Sequence, residues 1–115
     1  MATIEEINDN NFSQIVLESE NLVIVDFWAQ WCGPCRKLTP LLEQIQNEFI
    51  NEIKIVKIDA DKNINTSKEY GISSLPSILI FKDGEVKEIM AGMMQKSAIV
   101  SNIKKYVDSL ETATV

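Results

Sequence analysis

Cys32 and Cys35 stand in the stretch FWAQWCGPCR (27–36) with only Gly33 and Pro34 between them, and the 115-residue chain has no other cysteine. Thiols at this spacing can fall there by chance, supply half of a metal site, clip a short loop, or exchange electrons as a dithiol–disulfide pair. Random placement gives the spacing roughly 2% of the time. A bridge closing so short a loop constrains little of the unfolded chain, so it is a poor stability device. The chain has no histidine. A Cys–His nucleophile pair therefore cannot be built, and Arg36 stands where a c-type haem attachment needs histidine. Structural zinc needs four nitrogen or sulfur ligands, so two chains would have to pool their cysteines. Redox exchange ranks first, a structural bridge second and metal binding third.

The flanking residues assign roles to the two sulfurs. NLVIVDFW (21–28) is a nearly continuous β-branched and aromatic run, which predicts a strand buried on both faces. Residues 34–49 predict a helix, because Cys35, Leu38, Leu42, Ile45 and Phe49 recur at intervals of three and four. Pro34 suits the first turn, whereas Pro40 predicts a kink near Leu38 or Thr39. Cys32 then falls just before the helix, where unpaired N–H groups and the positive end of the dipole stabilise a thiolate. Cys35 continues the buried stripe, while Cys32 precedes it with access to solvent. Cys32 is the expected nucleophile and Cys35 the resolving thiol. Gly33 and Pro34 add no charge between the sulfurs, which leaves the disulfide comparatively stable and the dithiol a good electron donor. That balance favours a reductase over an oxidase or isomerase.

Other segments supply the frame. NDNNFSQIVLES (8–19) opens with capping residues and carries Phe12, Ile15 and Val16 at helical spacing. IKIVKID (53–59) predicts a second strand, and residues 60–74 are polar with one short helix ending at Gly71. SILIFKDGEVKEIMAG (77–92) reads as two strands around Asp83-Gly84. QKSAIVSNIKKYVDSL (95–110) predicts an amphipathic helix with Ile99, Ile103, Val107 and Leu110 inward, followed by a frayed ETATV (111–115). Strands alternating with helices, then a hairpin, imply an α/β fold with a mixed sheet covered on both faces. The length suits one domain.

The composition narrows the class. A 45% apolar and 24% charged chain is ordinary for a soluble globular protein. Eleven basic against 17 acidic residues give −6 with no basic run, which argues against nucleic acid and against an anionic membrane surface. No apolar stretch approaches a membrane span. MATIEEINDNN at the N-terminus lacks the pattern of a secretory signal or a transit peptide.

Three further residues invite roles. Asp26 interrupts the most hydrophobic strand, where burial would raise its pKa; the alternative is a strand-end acid facing water. Lys57, between Val56 and Ile58, is either its charge partner on an adjacent strand or a solvated edge lysine. Trp28 reads as core packing, and Trp31, beside Cys32, as an exposed contact surface.

WAQWCGPC (28–35), with Asp26 before it, Lys57 on the next strand and SLPS (74–77) before the hairpin, resembles the thioredoxin family. The resemblance runs from about residue 3 to 108, in matching element order. It implies a thioredoxin fold, a central five-stranded mixed sheet flanked by four helices, as a single domain over 1–115. It implies reduction of protein disulfides by a monomer that is regenerated by an NADPH- or ferredoxin-dependent thioredoxin reductase. The redox group is then the Cys32–Cys35 disulfide itself, with no bound cofactor or metal, and Gly33 and Pro34 tune it. Asp26 accepts the proton of Cys35, with Lys57 tempering its charge. Pro76 is cis beside the disulfide, and the Leu75 backbone, with Ser74, pairs with an extended substrate strand. Trp31, Ile72, Gly92 and Met93 form an apolar rim. Met93, Met94 and Ser74 depart from the commonest family pattern, which bears on partner preference and leaves the chemistry alone. The expected location is the cytoplasm, with the plastid stroma as alternative. Two rival functions stand beside this one: an interaction module with incidental redox chemistry, and a metal carrier.

Overall fold

The apolar run in residues 21–28 becomes the central strand, buried from Leu22 to Phe27 and paired along both edges. The computed structural model describes the backbone of residues 3–114 and the side chains of residues 3–107. Its strands are β1 (Glu5–Ile7), β2 (Leu22–Trp28), β3 (Ile53–Asp59), β4 (Ser77–Lys82) and β5 (Glu85–Ala91), in the spatial order β1-β3-β2-β4-β5. β1, β3 and β2 run parallel, and β4 and β5 are antiparallel to their neighbours. The mixed sheet is the expected one, and it carries four helical segments among the described residues: a turn at Ser13–Leu17, α1 (Gly33–Glu48), α2 (Ile64–Glu69) and α3 (Lys96–Thr114).

Side-chain alternation along β2 makes two cores. Leu22 and Ile24 face Leu38, Leu42 and Ile45 of α1 and Ile99 and Ile103 of α3. Val23, Val25 and Phe27 face Phe12 and Val16 of the first helical turn, with Tyr70 and Ile72 packed alongside. Phe12, Tyr70 and Phe81 meet edge-on or tilted, with ring centroids 5.3–5.7 Å apart. Asp26 continues the first face, two residues beyond Ile24.

One detail departs from expectation. The segment after Asn11 is a single wide turn, in which the Glu18 N–H donates to the Ser13 carbonyl five residues back, rather than a longer helix. Asn21 N–H bonds the Ser19 hydroxyl at 3.1 Å immediately afterwards, and the chain turns into β2. Helix α3 continues to Thr114; Val115 and the Leu110 side chain lie outside the described residues. Helix α1 runs through Pro40 as one element. At the hairpin, Asp83 and Gly84 take φ of 54° and 79°, the pair of left-handed residues that a two-residue turn requires. Gly84 has a second reason to be glycine: a Cβ there would lie 3.0 Å from the Leu17 carbonyl oxygen.

Candidate functional site

The topology carries four loops to one end of the sheet. β2 and β3 end at the paired residues Trp28 and Asp59. Because β4 runs antiparallel to β2, its first residue, Ser77, lies opposite Phe27, and β5 ends with Ala91 opposite Ser77. The loops holding Cys32, Asp61, Leu75 and Gly92 are neighbours for that reason.

Cys32 and Cys35 are disulfide-bonded, with Cα atoms 5.3 Å apart. Cys32 is the N-cap of α1, and its Sγ accepts a hydrogen bond from the Cys35 N–H at 3.2 Å. Cys32 occupies an extended conformation, and Pro34 follows in the first turn, where its missing N–H is not needed. The expectation that Cys32 reaches solvent is corrected: it is 2% exposed and Cys35 is 1% exposed. The bridge draws the first sulfur under the helix end, and Ala29, Trp28 and Leu75 pack around the pair. Gly33 and Pro34 remain exposed at the surface above it.

Asp26 is 1% exposed, and its Oδ1 has no hydrogen-bond partner among the described residues. Lys57 is its direct register neighbour on β3 and Ile78 its neighbour on β4. Burial pushes the Asp26 carboxyl up from 3.8 to about 7, against the opposing pull of the Lys57 charge. The water-facing alternative for Asp26 is thereby removed. Lys57 is half-buried, and its ammonium lies 5.1 Å from the centre of the Trp28 ring. Trp28 is not a fully buried core residue; it is a half-buried wall between the disulfide and Lys57.

The Leu75–Pro76 bond is cis, Pro76 is buried, and Leu75 packs on the cysteine pair. Ser74 is exposed, its carbonyl accepting the Ser77 hydroxyl at 2.6 Å. Gly92 has φ 88° and its N–H bonds the Pro76 carbonyl at 2.7 Å, which ties the end of β5 to the cis turn. Trp31 and Met93 are 69% and 48% exposed, with Ile72 and Gly92 half-buried. Met94 points the other way and packs on the α1–α3 core.

Sequence reasoning missed Asp61 and Arg36. The Trp31 indole N–H donates to Asp61 at 2.7 Å, and Arg36 donates to the Gln30 carbonyl, so both fasten the loop that carries Cys32. Asp61 lies two residues past the end of β3; only the pairing of β2 with β3 makes it a neighbour of Trp31.

The thioredoxin family model matches residues 3–105. The chain is 46% identical over 99 residues to a thioredoxin of Rickettsia conorii, covering 86% of this chain and 94% of that protein. It is 39% identical over 107 residues to a thioredoxin of Synechocystis, covering 93% of this chain and all of that protein. A chloroplastic M-type thioredoxin of Chlamydomonas reinhardtii is 43% identical over 102 residues, covering 89% of this chain and 73% of the relative. A match of that extent, on a fold that puts a Cys32–Cys35 disulfide at the start of its first long helix, settles the family: the chain belongs to the thioredoxins, thiol–disulfide oxidoreductases that reduce protein disulfides through their own cysteine pair and are served by reductase partners.

Proposed function

We propose that the reduction proceeds in two exchanges with Cys32 as nucleophile and Cys35 as resolving thiol. The Cys32 thiolate attacks one sulfur of a substrate disulfide; the Cys32–substrate bond forms and the other substrate sulfur leaves as a thiolate. Asp26 takes the proton of Cys35, whose sulfur then attacks Cys32 Sγ, releasing the second substrate thiol and forming the Cys32–Cys35 disulfide. Two electrons pass from the cysteine pair to the substrate. The observation that carries this assignment is the Cys35 N–H directed at Cys32 Sγ across 3.2 Å. The N-cap sulfur receives the donor and the positive helix end, which favour its thiolate over that of Cys35.

Substrate backbone pairs with Leu75, beside Ser74 and Pro76, while Trp31, Ile72, Gly92 and Met93 supply an apolar rim suited to many partners. Support for this comes from Leu75, which borders the disulfide and has no backbone hydrogen bond among the described residues. The protein acts as a single-domain monomer in the cytoplasm, drawing electrons from an NADPH-dependent reductase. The chloroplastic relatives favour the plastid stroma and a ferredoxin-dependent reductase as the second reading.

The test is turnover of a protein disulfide with a small dithiol as donor, comparing the parent chain with Cys32→Ser. Loss of turnover in the variant is expected, and retained turnover overturns the assignment. Replacing the dithiol with each reductase system in turn distinguishes the two electron sources.

A further inference from the structure

The Lys57 ammonium lies 5.1 Å from the centre of the Trp28 ring, within the range of a cation–π contact. Lys57 is also the register partner of Asp26, and Trp28 follows Asp26 by two residues on the same face of β2. One ring therefore touches both the lysine and the disulfide. The indole N–H plays no part in this placement, because Trp28 Nε1 is buried with no hydrogen-bond partner among the described residues. What the side chain offers at this position is its aromatic face. A half-buried lysine on a flexible stem would otherwise extend to water, where the exposed Glu6, its register neighbour on β1, is the nearest strand carboxylate besides Asp26. We infer that Trp28 is a positioning residue for the exchange reaction, its ring face holding the Lys57 ammonium beside Asp26 and so setting how readily Asp26 takes the Cys35 proton.

The surroundings of Asp26 make Lys57 the decisive charge. Beside Asp26 on β4 stands Ile78, and along its own strand Ile24 and Trp28. From α1 the same face receives Cys35, Leu38 and Leu42, none of them charged. On β3 the next residue on that face after Lys57 is Asp59, whose Oδ1 accepts the N–H groups of Asp61 and Lys62. Lys57 is thus the cation adjoining Asp26 among the described residues, and its distance sets the electrostatic support that the ionised carboxylate receives.

The inference rests on the reading of Asp26 as proton acceptor, and the experiment separates the two. Trp28 and Trp31 are the tryptophans of the chain. In a Trp31→Phe background, a multiply fluorinated tryptophan at residue 28 keeps the ring shape and weakens its π face. The Asp26 titration is followed by carboxyl NMR on the disulfide-bonded protein, where no thiol titrates, with and without Lys57→Met. Fluorination should raise the Asp26 midpoint by roughly half a unit, the size of a partly exposed cation–π contact. Trp28→Leu should raise it at least as far, and neither change should shift it once Lys57 is methionine. An unmoved midpoint overturns the inference, as does an equal shift in the Lys57→Met chain, which would make Trp28 a purely structural wall. The pH profile of substrate release is measured on the same proteins and should follow the Asp26 midpoint, slowing about twofold at pH 7 for such a shift. A midpoint that moves while the release profile ignores it leaves Trp28 placing Lys57 and removes Asp26 as proton acceptor.

Discussion

Cys35 donates its backbone N–H to the Sγ of Cys32 across 3.2 Å, so the donor comes from the residue proposed to attack that same sulfur. The two cysteines are equally hidden in the disulfide form. What distinguishes them is therefore the helix end: Cys32 is the cap and Cys35 lies inside the first turn.

That asymmetry predicts which single cysteine captures substrate. Cys35→Ser keeps the N–H and the helix end but removes the attacking thiol, so the Cys32–substrate disulfide should persist. Cys32→Ser should trap far less, because Cys35 lacks the cap donor. Peptide mapping of the trapped species by mass spectrometry checks this, and predominant capture on Cys35 reverses the roles.

Asp26 makes a prediction about stability. Its carboxyl is raised from 3.8 to about 7 in the folded protein, chiefly by burial. Between those values the folded state holds a proton that the unfolded state has lost, so stability falls as pH rises through this window and levels off above it. Asp26→Asn lacks the titration. Its stability relative to the parent should improve by about 1–3 kcal/mol from pH 4 to pH 8, measured by denaturant unfolding at each pH. A gap independent of pH would mean that Asp26 does not titrate in that window.

Elements were more legible than relationships. The runs at 21–28 and 53–59, the stripe from Cys35 to Phe49 and the Asp83-Gly84 turn each carry a local pattern, and each folds within a residue or two of its expected bounds. Burial of Asp26 was readable because its neighbours on β2 are uniformly apolar. The Lys57–Trp28 contact and the Trp31–Asp61 hydrogen bond were not, since both depend on β2 pairing with β3 in one register. The burial of Cys32 escaped the stripe count for a related reason. Helical periodicity describes residues inside the helix, and the cap residue is turned inward by its bond to Cys35.

A polar anchor far from the cysteines also titrates. Asp9 accepts the backbone N–H of Thr66 at 3.0 Å and its hydroxyl at 2.5 Å, joining the loop after β1 to α2. The hydrogen bond from the Thr66 side chain leads the effects that hold its pKa below 3.8. This contribution is present above the ordinary value and is lost as pH falls through the depressed one. Asp9→Ala should cost about 1 kcal/mol at neutral pH, as for a lost helix cap, with the gap closing in acid. Asp9→Asn, which keeps an acceptor, should recover part of it. Equal unfolding midpoints for Asp9→Ala and the parent at pH 7 would show that the anchor adds nothing.

Trp31 is 69% exposed and is steadied by one hydrogen bond to Asp61. An exposed ring adds little to folding but offers a partner protein a large, already ordered apolar surface. Trp31→Ala should leave the unfolding midpoint nearly unchanged and slow reduction of a protein disulfide by about 5- to 30-fold, the range for a contact residue of 1–2 kcal/mol. Reduction of a small aliphatic disulfide, which cannot span the rim, should change less than about twofold. Asp61→Ala keeps the ring but frees it to rotate, so its effect on the protein substrate should fall between the parent and Trp31→Ala. Equal slowing of both substrates by Trp31→Ala would place the action of the ring on the cysteine chemistry, and the rim would lose its role in partner binding.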